Sequence, residues 1–237
     1  MMKKLLLMVF LAVGMTANAE TLVTNDADDG NASQGVNLGA GKDDNDRWSL
    51  HVMVGVNVPT GAPDGVDFAP FRSWELNGTL LQYDYTPKDW KTTFSAGLGV
   101  TWRAYTLSGH DKMFNKVDDV IVVGNRPGQF SSLSSNIHTA SVSMPLLVKQ
   151  RFSKNIAVSL GAQLNWNVWG RTHNYYEIGD EEIDVYTKNI NYRPFTVDVL
   201  GIFHFWEIGF YCKYSPMSVL KKDKGPEFQS LAFGIYL

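Results

Sequence analysis

The chain has 237 residues, and its 24 Asp and Glu against 21 Lys and Arg leave a net charge of −3, which excludes a protein that grips nucleic acid with a basic surface. At 44% hydrophobic and 19% charged it is too apolar for a disordered chain. Its one cysteine excludes a disulfide framework and a cysteine-only metal site.

Met1, Met2, Lys3 and Lys4 precede an apolar run from Leu5 to Val13, and small residues stand at Ala17 and Ala19. A basic start, a short apolar core and a small-residue site predict a signal peptide over 1–19, cleaved after Ala19. The run is too short to cross a ~30 Å hydrocarbon core, and no cysteine follows it to carry a lipid anchor. Later in the chain no apolar run reaches the ~18 residues of a membrane helix. An exported chain without a helix has two destinations, a soluble protein or a β-barrel in the outer membrane.

Positions 20–47 hold Glu20, Asp26, Asp28, Asp29, Asp43, Asp44 and Asp46 against Lys42 and Arg47, a net −5. Gly, Asn, Ala, Ser and Thr fill most of the rest, which predicts a solvated, disordered arm on the periplasmic side. The acids lack the spacing and closing Glu of a calcium loop. The remaining body, 48–237, balances 17 acids with 17 bases.

That body alternates with period two. Trp48, Leu50, Val52, Val54, Val56 and Val58 oppose Ser49, His51, Met53, Gly55 and Asn57, a strand with two unlike faces. The pattern returns over 94–104, 138–152 and 156–168, and more weakly over 195–203, 208–214 and 230–237. Between Trp74 and Tyr85 the phase slips near Leu80 and Leu81, the sign of a bulge. Eight strands are predicted, at 48–58, 74–85, 92–107, 136–152, 155–170, 193–204, 208–215 and 227–237. Most are long enough for a tilted strand to cross a bilayer. Connectors 59–73, 108–135, 171–192 and 216–226 are long and alternate with the short 86–91, 153–154 and 205–207, the order of barrels with long outer loops and short periplasmic turns.

Chemistry of the two faces chooses the solvent. A secreted lipocalin turns its apolar set inward and a charged set to water. Here the polar set is Gly, Ser, Thr, Asn and Gln, which suits the narrow interior of an eight-stranded barrel, and the long apolar set suits lipid. Trp74, Trp102 and Trp166 fall toward outer strand ends, and Trp48, Trp90 and Trp206 toward periplasmic ends, as an aromatic girdle requires. Trp169, by parity, points inward or belongs to the following loop. Closure satisfies every backbone donor and acceptor without water. By parity Glu75, Arg103, Lys149, Arg151, Asp198 and Lys213 point into the lumen, where charges need partners or water. Arg103 is placed to meet Asp198 or Glu75 and plug the outer half.

The segment Met144, Pro145, Leu146, Leu147, Val148, Lys149, with Arg151 and Phe152 after it, resembles a strand end of the outer-membrane β-barrel proteins of Bacteroidota, the PorT-like relatives of small OmpX-type barrels. Tyr211, Lys213 to Met217, Lys224 to Pro226, and Ser230, Phe233 and Gly234 resemble that family's last hairpin. The resemblance implies an outer-membrane barrel that meets the bilayer, lipopolysaccharide and, during biogenesis, the barrel-assembly machinery. It departs at the final residue, Leu237, where such barrels usually end in an aromatic.

No histidine sits in a metal-protease pattern. Enzymatic small barrels use Ser, His and an acid near the outer rim, for which His138 with Ser135 or Ser141, and His110 with Asp111, are the nearest candidates. Loop 108–135 carries an apolar, β-rich patch from Val117 to Val123 that suits a hairpin extending the wall, or a binding edge. Loop 171–192 mixes tyrosines with acids and offers a place for a ligand or a divalent cation bridging lipopolysaccharide. The reading is an all-β, eight-stranded antiparallel up-and-down transmembrane barrel without enzymatic activity, cofactor or metal. It acts as a structural or accessory envelope component or binds a protein or ligand through its outer loops. The alternatives are a lipid A-modifying enzyme, deacylase or acyltransferase, and a soluble lipocalin-like carrier.

Overall fold

Alternation that persists along a whole strand leaves one face to be filled and the other to be wetted by a single solvent, and the computed structural model resolves both. It describes residues 46–109, 111–125, 133–178, 181–206 and 208–237; the predicted signal peptide and the arm up to residue 45 lie outside this set. Among these described residues eleven strands occur: β1 Asp46–Thr60, β2 Trp74–Tyr85, β3 Thr92–Thr106, β4 Lys112–Val117, β5 Val120–Asn125, β6 Leu133–Arg151, β7 Ile156–Ile178, β8 Glu181–Lys188, β9 Phe195–Phe205, β10 Ile208–Ser215 and β11 Gln229–Tyr236. Among the described residues no helix is long enough to cross a membrane.

Eight of them close an antiparallel barrel in the order β1, β2, β3, β6, β7, β9, β10, β11 and back to β1. Closure is made where Val52 and Leu237 exchange both backbone hydrogen bonds at 2.8 Å. One end of the barrel carries the start of β1, the end of β11 and the short turns; we call it the terminal end. The other, the loop end, carries the long connections.

The faces divide by chemistry. Val54, Leu98, Val100, Leu160, Val199, Phe203, Phe210, Phe233 and Ile235 are exposed on the outer wall, whereas Asn57, Glu75, Asn77, Thr101, Gln163, Asp198 and Lys213 are buried inside. A water-soluble barrel would invert that arrangement. Hydrocarbon is the solvent that an apolar exterior around a polar interior requires, and the closed sheet leaves no backbone edge unpaired within it.

Three local departures revise the strand readings. β1 opens at Asp46, two residues before the predicted strand start, because Asp46 and Arg47 pair with Tyr85 and Asp84. In β2 the register with β3 shifts between Thr79 and Leu81, and both Leu80 and Leu81 are exposed on the wall. In β7 a second bulge falls at Val168: Ala140 faces Trp169 while Ser141 faces Asn167. The extra residue reverses the phase, so Gly170, Thr172 and Asn174 are buried and Trp169 turns outward, its ring 5.2 Å from that of Trp102. Trp169 is thus a wall residue, against its parity in the sequence. Beyond this bulge β7 runs on to Ile178 and pairs with β8, so most of the connector 171–192 is a hairpin.

Placing a charge on the wall tests the solvent assignment. Val199, 57% exposed at mid-height of β9, replaced by Arg is expected to lower folding stability in lipid vesicles by about 2–4 kcal/mol, measured by urea unfolding. A wall facing water would tolerate it.

Candidate functional site

Inside the loop half, four charges from four strands meet. Glu75 on β2 faces Arg103 on β3 in direct register, and Arg103 Nε donates to Glu75 Oε2 at 2.7 Å. Arg103 Nη2 also reaches Asp198 Oδ2 on β9. Lys213 Nζ on β10 lies 2.6 Å from Glu75 Oε1, and Tyr211 OH donates to the same oxygen at 3.3 Å. Glu75 and Asp198 are completely buried, Lys213 nearly so. Two acids against two bases make the group neutral, which is the condition for charges to persist away from water. Against it Asn77, Thr101, Gln163 and Asn165 form an amide and hydroxyl layer. Gln163 Nε2 donates to Asn165 Oδ1 at 2.7 Å, and Asn165 Nδ2 donates to Asp198 Oδ2 at 2.8 Å, which links the layers.

Nearer the terminal end the lumen turns apolar, with Met53, Leu147, Leu200, Ile202 and Ala232 packed against Tyr211 and Tyr236. The pattern signalled it only as occasional apolar residues on the polar side of each strand. At the mouth below, Tyr236 lies between two imidazoles, stacked on His51 at 4.8 Å and edge-on to His204 at 5.4 Å. Lys149 and Arg151 stay at this end of β6, with Lys149 opposite Thr93 and Ser159, ten residues along β3 from Arg103. They do not join the buried group.

At the loop end the long connections fold together. β4 and β5 form a separate two-stranded sheet whose turn places Asp118 and Asp119 at φ 48° and 63°, the left-handed pair a two-residue hairpin requires. Phe114 and Ile121 from this hairpin bury against Tyr105, Leu107, Ile137, Ile190, Leu220 and Phe228. The hairpin therefore covers the mouth and does not extend the wall. Polar groups fasten it. Phe114 N donates to Ser135 Oγ at 2.9 Å, Ser135 Oγ donates to Asn174 Oδ1 at 2.6 Å, and Asn174 Nδ2 donates to Phe114 O at 2.8 Å. Ile121 N donates to Lys224 O at 3.0 Å, and Lys116 Nζ to Asn189 O at 2.8 Å. Open clefts lie on the cap surface, two of them lined by described residues. One of about 430 Å³ lies beside Arg193, Met217 and Glu227, and one of about 460 Å³ beside Asp64, Lys112 and Val122.

The rim candidates for hydrolysis on β6 are not assembled. Ser135 and Ser141 are buried on the inner face of β6, and His138 lies on its outer face between Trp74 and His173. His110 lies outside the described residues. Nor do the acids of 171–192 gather: among the described residues no three His, Cys, Asp or Glu side chains are grouped to hold a metal ion. Of the tryptophans, Trp74, Trp102 and Trp166 stand toward the loop-end portions of their strands, Trp90 and Trp206 in terminal-end turns, and Trp48 near the start of β1 opposite Tyr83.

Among solved structures the chain is similar to Ail, the attachment invasion locus protein of Yersinia pestis, crystallised in complex with the heparin analogue sucrose octasulfate. Identity is 12%, 81% of this chain and 99% of that one are covered, and the TM-score is 0.32. At that score the likeness carries no argument about function. No protein-family model matches the sequence, and no curated protein matches it; the resemblance to PorT-like barrels thus has no support beyond the barrel itself.

Two outcomes follow from this geometry. Arg103→Ala leaves two buried carboxylates with one cation and is expected to cost about 3–5 kcal/mol in urea unfolding from vesicles. At the hairpin turn, bonds from Lys116 and Asn191 hold the Asp119 carboxyl down at about 2 from an ordinary 3.8. A depressed carboxylate contributes fully above its unfolded value and loses that contribution as pH falls through its folded one. Pepsin cutting within 112–125 should therefore rise between about pH 4 and pH 2, and Asp119→Asn should be cut readily already at pH 4.

Proposed function

We propose that the protein is a non-enzymatic component of the bacterial outer membrane, structural or accessory, that works through the face of its loop cap. The loop end then faces the outside and the terminal end the periplasm, the orientation that long loops and short turns imply. Lipopolysaccharide and the bilayer surround the wall, and the barrel-assembly machinery inserts it. The reading rests on one observation: the lumen is filled at three successive heights, by the apolar cluster around Met53, the ionic group around Arg103 and the cap core around Phe114. A filled barrel with its loops joined into one body is built to present a fixed surface. The two clefts, each mixing charged and apolar side chains, are where a protein or ligand would be read.

Two measurements test this. The full chain in planar bilayers should give no current steps above those of lipid alone, and a steady large conductance would overturn the filled lumen. Lipid A mass spectra from cells with and without the protein should superimpose; a changed acyl count would make it an enzyme.

A further inference from the structure

Above the apolar band, the outer wall across β2, β3, β6, β7 and β8 changes chemistry row by row. The lowest of these rows runs Leu76, Trp102, Ala140 and Trp169 in direct register. The next runs Trp74, Ala104, His138, Arg171 and Lys188. Above it come Asn136, His173 and Tyr186, then Ser134, Tyr175 and Asp184, and last Glu177 opposite Glu182. Ascending the wall, Trp102 and Trp169 come first, then Arg171 and Lys188 in the row of Trp74, then His173 and Tyr186, and last the acids. The bulge at Val168 creates this order, because without it Arg171 and His173 would face the lumen.

The Arg171 guanidinium is held in place. The Arg171 guanidinium carbon lies 5.0 Å from the Trp169 ring centre and 4.5 Å from that of Tyr186. Tyr186 is itself stacked on His173 at 4.4 Å, and His173 Nε2 is 2.6 Å from Asp184. Arg72 reaches across the same wall to Ser134 Oγ at 3.2 Å. Tryptophan marks the boundary between acyl chains and headgroups, so Arg171 and Lys188 stand at headgroup height with their flanks toward lipid. A cation on the wall at that height meets the anionic headgroups of the membrane itself.

We propose that this patch, centred on Arg171 and Lys188, binds the phosphate of a phosphorylated lipid in the leaflet at the loop end. Its acyl chains run down the apolar band below Trp102 and Trp169. The proposal deepens the outer-membrane reading and rests on it. There the phosphate-bearing lipid of the outer leaflet is lipid A.

The full chain is refolded into vesicles of neutral phosphatidylcholine, with insertion scored by heat-dependent gel mobility. It is then released into detergent with bisphosphorylated or dephosphorylated lipid A, and retained lipid is counted by native mass spectrometry. The wild type should retain the bisphosphorylated form at least tenfold better. Arg171→Gln with Lys188→Gln, two polar substitutions on the outer wall, should insert normally and lose that preference. Equal retention of both forms, unchanged retention by an inserted double variant, or displacement by millimolar inorganic phosphate would overturn the proposal while leaving the barrel intact. A wild-type chain that fails to insert would overturn the membrane reading beneath it.

Discussion

In hydrocarbon no water is present to satisfy a free strand edge, so everything in this molecule depends on the seam where β1 meets β11. The paired bonds between Val52 and Leu237 at 2.8 Å turn an open sheet into a ring with no edge. Once the ring is closed, each residue of each strand faces either lipid or lumen. With eight strands the lumen is only wide enough for side chains, so whatever faces inward must pack and pair with whatever faces it from across the barrel. Filling of the interior thus follows from strand number, and the identity of the filling follows from the odd or even positions each strand contributes.

The filling is layered along the axis because the two ends meet different demands. Toward the terminal end Met53, Leu147, Leu200 and Ile202 exclude water by packing. In the loop half charged and amide groups do so by mutual satisfaction, with Arg103 touching both buried acids. Above them the inward positions at the ends of β3 and β6, Tyr105 and Ile137, become apolar again and serve as the floor on which the β4 and β5 hairpin settles. The cap is therefore continuous with the barrel interior.

How far the sequence could be read follows from what period two measures. It reports a side, and wherever a strand keeps its phase the side is enough: the eight barrel strands and their order were legible, with β2 and β10 matching residue for residue. Parity itself carries no information about height: it put Glu75, Arg103, Lys149, Arg151, Asp198 and Lys213 on one side, and position along each strand set Arg103 with Glu75 or Asp198 in the outer half but left Lys213 outside that group. It also fails at an unmarked bulge. Nothing in the run Trp166 to Trp169 announces the extra residue at Val168, and that one residue moved Trp169, Arg171 and His173 to the wall. The β7 and β8 hairpin escaped because its acids and tyrosines have the composition of a loop, and cross-strand pairing supplied what propensity did not.

The ionic group has a role that apolar packing of equal volume would not serve. Buried ion pairs are weak sources of stability against well-packed apolar substitutes, and the cluster around Met53 shows that apolar filling is available to this lumen. What charges add is a penalty for error. Glu75, Arg103, Asp198 and Lys213 come from β2, β3, β9 and β10, two on each side of the seam. A one-residue slip of any of these strands turns its whole inner face outward. For an apolar residue that exchange is nearly free in lipid, which wets either face alike, whereas a slipped Arg103 or Asp198 would stand in hydrocarbon at a cost of several kcal/mol. In a membrane the hydrophobic pattern alone discriminates poorly between registers, and the buried charges restore the discrimination that water supplies to a soluble sheet.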